Sequence, residues 1–223
     1  MMQEHVLVFP VALLDKLGRF QGLSFEVERY LGPILDGGNA AFMRRQDAER
    51  DTSHKQLIAY VILTHMDTVL AYRRGKLLSE ERLLGCYSIG IGGHISTDDP
   101  SMFDERYEDA ALRELAEEVT LEGHQDLTRV ALINDDSDGV GKVHFGIVYV
   151  VVLPEPVVRK REKSINEPSF LTVGELRGDL PRFEGWSQIC IEHIDEILAK
   201  VRISPAKRAP SNRMQSPSTP SES

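Results

Sequence analysis

The chain has 223 residues, of which 41% are hydrophobic and 27% charged, enough apolar material for one packed domain with decoration and unlike a disordered or fibrous sequence. Its formal net charge of -9 is spread along the chain and would repel an extended phosphate backbone, which disfavours a nucleic-acid polymer as partner. A small phosphorylated ligand is still admitted, because a divalent cation held by carboxylates reverses the local field.

Taken in chain order, His5 to Phe9 reads as a short strand, followed by a helical turn and a helix around Phe25 to Leu35 that Asp36-Gly37-Gly38 ends. The apolar stretch Val6 to Leu14 lacks the basic lead and small-residue cleavage site of a signal peptide, and Glu4 precedes it. Residues 1–54 are therefore expected to form an N-terminal extension packed on the domain. Leu57 to His65 and Val69 to Arg74 are strand-like runs around a Met66-Asp67-Thr68 turn, a hairpin pattern. Cys86 to Ile95 reads as a further strand running into glycines, and Ser101 to Thr120 as a helix with a Ser101-x-x-Asp104 cap. Strands follow at Thr128 to Asn134 and Gly141 to Leu153, and the apolar run Phe145 to Leu153 is far short of the roughly 20 residues a membrane helix needs. Glu184 to Val201 carries Trp186, Ile189, Cys190, Ile194, Ile197 and Val201 at helical spacing. This mixed order of strands and helices predicts an α/β sandwich over residues 55–203.

The remaining segment, Ser204 to Ser223, holds four prolines and six serines and is expected to be a disordered tail. Lys207, Arg208 and Arg213 against Glu222 give it +2, so residues 1–203 carry -11. Cys86 and Cys190 lie 104 positions apart in apolar segments, which suits buried thiols in a reducing, cytoplasmic compartment.

Chemistry concentrates between residues 92 and 121. On a helix, Glu114, Glu117 and Glu118 fall at i, i+3 and i+4, so three carboxylates share one face while Ala111, Leu112, Leu115 and Val119 bury an adjacent one. Three like charges at these positions repel, with Arg113 and Arg106 near to offset them. The glycine-rich strand end Gly90-Ile91-Gly92-Gly93 precedes the helix and lets backbone approach a ligand. Carboxylate and carbonyl oxygens together suit a hard cation such as Mg²⁺.

These residues resemble the Nudix box of the Nudix hydrolases, a glycine, five residues, glutamate, seven residues, then Arg-Glu-aliphatic-x-Glu-Glu-x-Gly-aliphatic. Glu105 stands eight positions before Arg113, and Arg113-Glu114-Leu115-x-Glu117-Glu118-x-x-Leu121 fits everywhere but one position. Eleven residues rather than five separate Gly93 from Glu105, which reads as a six-residue loop insertion. Thr120 replaces the pattern's last glycine, a place where a left-handed residue would strain a β-branched side chain.

The resemblance implies a Nudix-type α/β/α sandwich with a mixed sheet, over roughly residues 55 to 200. It implies Mg²⁺, with Mn²⁺ as a substitute, held by Glu114, Glu117, Glu118 and the carbonyl of Gly92. Glu114 is the expected base, with Glu155, Glu162 and Glu167 as later alternatives, while Arg113, Glu105 and Gly93 support the site. The implied reaction is hydrolysis of a diphosphate linkage in a nucleoside diphosphate derivative or related organic pyrophosphate. Nudix-fold proteins also include diphosphate-ester isomerases and ligand-binding regulatory modules, which are the competing readings. A small phosphorylated substrate, no membrane and a homodimer complete the expectation.

Other polar residues read more plainly. His94 is expected to hydrogen-bond locally beside the site, and His144 to be structural on its strand. Asp135 and Asp136 suit a turn, Arg44 and Arg45 exposed loop charge, and Trp186 core packing.

Overall fold

A computed structural model describes residues 4–35, 38–75, 85–97, 107–121, 126–161 and 164–203. The N-terminal segment supplies β1 (His5–Pro10), α1 (Val11–Leu17), β2 (Gly22–Ser24), α2 (Val27–Leu35), β3 (Ala41–Arg44) and the single turn α3 (Arg45–Ala48). The expected hairpin is β4 (His54–His65) and β5 (Thr68–Arg74), with Met66 at φ 51° taking the left-handed place in the turn. The glycine strand is divided into β6 (Tyr87–Ser88) and β7 (Gly90–His94), because the first pairs with β5 and the second with β4. Then come α4 (Glu108–Glu118), β8 (Val119–Thr120), β9 (Leu127–Asn134), β10 (His144–Val152), β11 (Arg159–Lys160), β12 (Ile165–Thr172), α5 (Val173–Gly178), α6 (Gly185–Glu192) and α7 (Ile194–Ile203).

The main sheet runs β12-β5-β4-β10-β9-β2, with β1, β3, β6 and β7 joining from the side. β4 and β10 are parallel and the other pairs antiparallel, so the sheet is mixed. Long β4 carries β10 along one edge and, along the other, β1 at Gln56, β7 at Ile58 to Ile62 and β5 at Thr64. Alternate residues of β4 bury on opposite faces, as a two-residue period requires. Leu57, Ala59, Val61 and Leu63 join Leu31 and Ile34 of α2 and Ala111 and Leu115 of α4. Tyr60 and Ile62 join Leu176, Cys190, Ile191, Ile194 and Ile197 of the C-terminal helices. The result is an α/β/α sandwich with the β4–β10 pair at its centre.

Local readings are corrected in four places. The box helix stops at Glu118, and Val119 and Thr120 are extended, pairing with Lys160 and Arg159. Thr120 thus sits in strand backbone, where a β-branched residue is at ease, and it is not among the positive-φ residues. The expected cap at Ser101 and Asp104 lies outside the described residues, as does the tail, residues 204–223. Gly141 to Val143 form a short 3₁₀ turn before β10, because the chain must first turn back from the Asp135 loop. The closing helix is broken at His193 (φ -106°, ψ 18°), although both halves bury the same face. β12 and α5 were not anticipated; β12 has no polar–apolar alternation, because its register breaks between Asn166 and Ser169, with Glu167 at φ 51°. Cys86 is half-buried and Cys190 buried. Among the described residues, no helix is long and apolar enough to cross a membrane.

Candidate active site

A cavity of about 310 Å³ opens where β7, the start of α4's last turns, the β9–β10 connection and the N-terminus of α6 meet. Gly90, Gly92 and Gly93 lie in its wall because β7 must pass between bulky neighbours. A Cβ on Gly90 would enter the Tyr60 ring, and one on Gly93 would fall within the Glu114 carboxylate. The strand is braced by Tyr72 Oη and Ser88 Oγ, which both donate to Gly90 O, at 2.8 and 3.1 Å.

Glu114 and Glu118 line the cavity together with Gly92 and Gly93. Glu114 is 17% exposed, and burial raises its carboxyl above the ordinary value of 4.5 although Arg113 pulls the other way. Arg113 donates to Glu114 Oε1 at 2.7 Å, Glu117 Oε1 at 3.3 Å and His94 O at 3.1 Å, tying helix to strand. Ser164 Oγ donates to Glu118 Oε2. Glu117 is 54% exposed and does not belong to the cavity lining; the two-turn helix face is wide enough that one of its three acids looks outward. Among the described residues, no three His, Cys, Asp or Glu side chains enclose a metal position by themselves.

The later acids proposed from sequence stand elsewhere. Glu155 is exposed after β10, and Glu167 is an exposed bulge residue 3.7 Å from Arg73; neither lines the cavity. Glu105 and Glu162 lie outside the described residues. Glu184 is the later acid that does line it, together with Asp135 and Asp138. Glu184 caps α6, accepting from Trp186 N and Ser187 N, each at 3.0 Å, while Tyr60 Oη donates to its Oε1 at 2.9 Å. A lone acid before a Gly-Trp-Ser run resembles any helix cap in sequence, so only the fold exposes its place.

His94, expected to hydrogen-bond locally beside the site, and His144, expected to be structural, both face the cavity. His144 Nδ1 donates to Val140 O at 2.8 Å, and its Nε2 lies 3.3 Å from His94 Nε2. Because a carbonyl only accepts, this fixes His144 Nε2 as the acceptor and His94 Nε2–H as the donor in the neutral pair. Burial, with Arg45, His144 and Arg113 nearby, pushes His94 down to about 3, so it is neutral at pH 7. Arg45, read from sequence as loop charge, lines the cavity while paired with Glu4 at 2.9 Å and Glu49 at 3.0 Å. Arg44 is exposed on β3. Trp186 both packs edge-on to Tyr60, with centroids 5.7 Å apart, and lines the cavity. Asp135 keeps its turn role, accepting from Ser137 N at 3.1 Å, and Asp136 pairs with Lys55 at 2.8 Å.

No protein-family model matches the chain. Protein YmaB of Bacillus subtilis (strain 168) is 36% identical over 205 residues, covering 87% of this chain and 98% of that protein. The crystal structure of Tm1382, a candidate Nudix hydrolase, is 28% identical with a TM-score of 0.70, covering 86% of this chain and 98% of that one. The Nudix domain of Shewanella oneidensis NrtR, solved with ADP-ribose, is 18% identical with a TM-score of 0.48, covering 67% and 89%.

Proposed function

Because this chain belongs to the Nudix hydrolase family, we propose that it is a Mg²⁺-dependent pyrophosphohydrolase acting on a nucleoside diphosphate derivative or a related organic pyrophosphate. The observation that carries this reading is the joint placement of Glu114 and Glu118 with Gly92 and Gly93 in one cavity wall. The donor set fits a hard divalent cation: Glu114, Glu118 and the carbonyl of Gly92 would hold it, with Glu117, outside the cavity lining, as a further carboxylate of the same helix. Mg²⁺ characteristically takes one or two carboxylates and leaves its other positions to phosphate oxygens and water, which suits a wall with two inward acids; Mn²⁺ is the expected substitute.

When bound, the cation would neutralise the diphosphate oxygens and lower the pKa of a water for attack at phosphorus. The chain's own groups do the rest. Glu114 accepts the water's proton at a carboxylate oxygen, and its burial raises its proton affinity. Arg113 holds that carboxylate in place through a 2.7 Å bond, and Ser164 orients Glu118. Gly93 admits the carboxylate against bare backbone. Arg74, also in the wall, would meet phosphate oxygens.

A panel of dinucleotides, nucleotide sugars and nucleoside triphosphates with Mg²⁺, run on the native protein and on Glu118→Gln, tests the reading. Hydrolysis of at least one compound, reduced by roughly 10²-fold or more in the variant, is expected from the loss of a charge-stabilising group. Failure to hydrolyse any member, or equal activity in the variant, would end the proposal, and turnover without release of a phosphate product would point to isomerisation.

A further inference from the structure

Lys55 lies near the start of β4 with its side chain withdrawn from solvent, 0% exposed, and among the described residues no other charged side chain is buried. A buried ammonium is tolerated only when its donors are met. Nζ has three N–H groups and three acceptors: Asp136 Oδ1 at 2.8 Å, Gly141 O at 2.7 Å and His144 O at 3.1 Å. All three lie between the end of β9 and the first residue of β10. That same segment gives Asp135, Asp138, Val140, Gly141 and His144 to the cavity wall, whereas Lys55 is absent from the lining.

The N-terminal segment grips the loop from outside as well. Gln21 Nε2 donates to Asp135 Oδ1 at 2.8 Å, and Asp136 N donates to Gln21 Oε1 at 3.1 Å. Asn134 Nδ2 donates to Phe20 O at 2.6 Å, and Arg19 lies 3.3 Å from Asp136. The Gln21 and Arg19 contacts are exposed and the Asn134 contact part-buried, whereas Lys55 joins both ends of the turn from inside. By holding His144 O and the turn that presents Val140 O, it fixes the backbone on which the His144–His94 bond depends.

We propose that Lys55 is a positioning residue: it sets where the β9–β10 wall stands relative to Glu114 and Glu118, and thereby sets substrate affinity more than the rate of bond cleavage. The consequence for affinity rests on the pyrophosphohydrolase reading; the consequence for wall position does not.

Trp186, the chain's single tryptophan, reports on this wall. It lines the cavity, its ring packs on Gly146 just beyond His144, and Asp135 Oδ2 is 3.7 Å from a Cβ placed on neighbouring Gly185. Acrylamide quenching of Trp186 fluorescence is measured in the full chain for the native protein, Lys55→Met and Lys55→Met/Asp136→Asn. The single variant leaves Asp136 without its ammonium and is expected to melt earlier. The double variant removes that imbalance and regains most of the melting temperature. Quenching is expected to rise in both, and for the compound that the substrate panel returns, KM is expected to rise by roughly tenfold to a hundredfold while kcat changes little, the signature of misplaced binding groups. Native quenching in the double variant, or KM that recovers together with the melting temperature, overturns the proposal by reducing Lys55 to a stabilising residue. If the native protein hydrolyses nothing, quenching alone decides the positioning role, and only the reading of the reaction falls.

Discussion

Among single residues, Gly93 and Glu114 are tightly coupled, since the carboxylate occupies the volume a side chain at 93 would need. Gly93→Ala is therefore expected to cost about 1–3 kcal/mol of stability through overpacking, measured by urea denaturation, and to lower Mg²⁺-dependent turnover by displacing Glu114. The buried carboxyl of Glu114 has a second consequence. Burial raises its folded value above 4.5, so the folded state keeps the proton to higher pH than the unfolded chain does. Stability from this group is thus full below about pH 4.5 and is lost as pH rises through the folded value. Glu114→Gln removes the ionised, desolvated carboxylate. Without divalent cation its Tm at pH 7 is expected to exceed that of the native protein, with the gap closing in acid and Mg²⁺ raising the native Tm more than the variant's. A variant that melts at or below the native temperature at pH 7 contradicts this account. The glycine and the glutamate were both legible in the sequence, because their spacing lies within one strand end and one helix; their contact was not.

Secondary-structure elements show where local pattern stops being enough. Three acids at i, i+3 and i+4 predict a shared helical face, and α4 provides it, but which acids turn inward depends on how the helix lies against β7. Glu114 and Glu118 line the cavity and Glu117 does not. The end of α4 follows the same logic: Thr120 pairs with Arg159, and this strand contact, invisible in the local sequence, ends the helix at Glu118 and relieves the strain that a left-handed residue would bring. At α6 the capping residue also lines the cavity. Glu184→Ala removes acceptors for two helix N–H groups and for Tyr60 and Ser187. The expected cost is about 1–2 kcal/mol from the cap, with more from the hydroxyls left buried and unpaired. Equilibrium denaturation followed by Trp186 emission measures it, and Glu184→Gln should recover part of the loss.

In the whole molecule, the described residues before β4 are woven into the sheet and core. β1 pairs with β4, β2 pairs with β9, and Leu7, Phe9, Leu14, Leu31 and Ile34 share one apolar cluster with Leu57, Phe145 and Tyr149. Glu4 and Arg45 reach the cavity itself. A chain beginning at His54 would expose that cluster and leave two sheet edges unpaired, and such a loss of core and pairing exceeds the typical 5–15 kcal/mol stability of a domain. It is expected to lack a cooperative thermal transition by circular dichroism. A sharp transition near the native Tm would show instead that residues 55–203 form the folding unit on their own.

The sequence by itself determined the class of fold, the hairpin, the glycine strand and the acidic helix, and with them the family, because each rests on periodicity or spacing within a short segment. It did not determine which groups line the cavity or hold its wall. Asp138, His144, Glu184 and Lys55 come together only when parallel β10 lies beside β4 and α6 folds back over that pair. A turn aspartate, a strand histidine, a helix cap and a lysine look ordinary in sequence. Burial and partners distant along the chain give each its role, and those exist only in the tertiary structure.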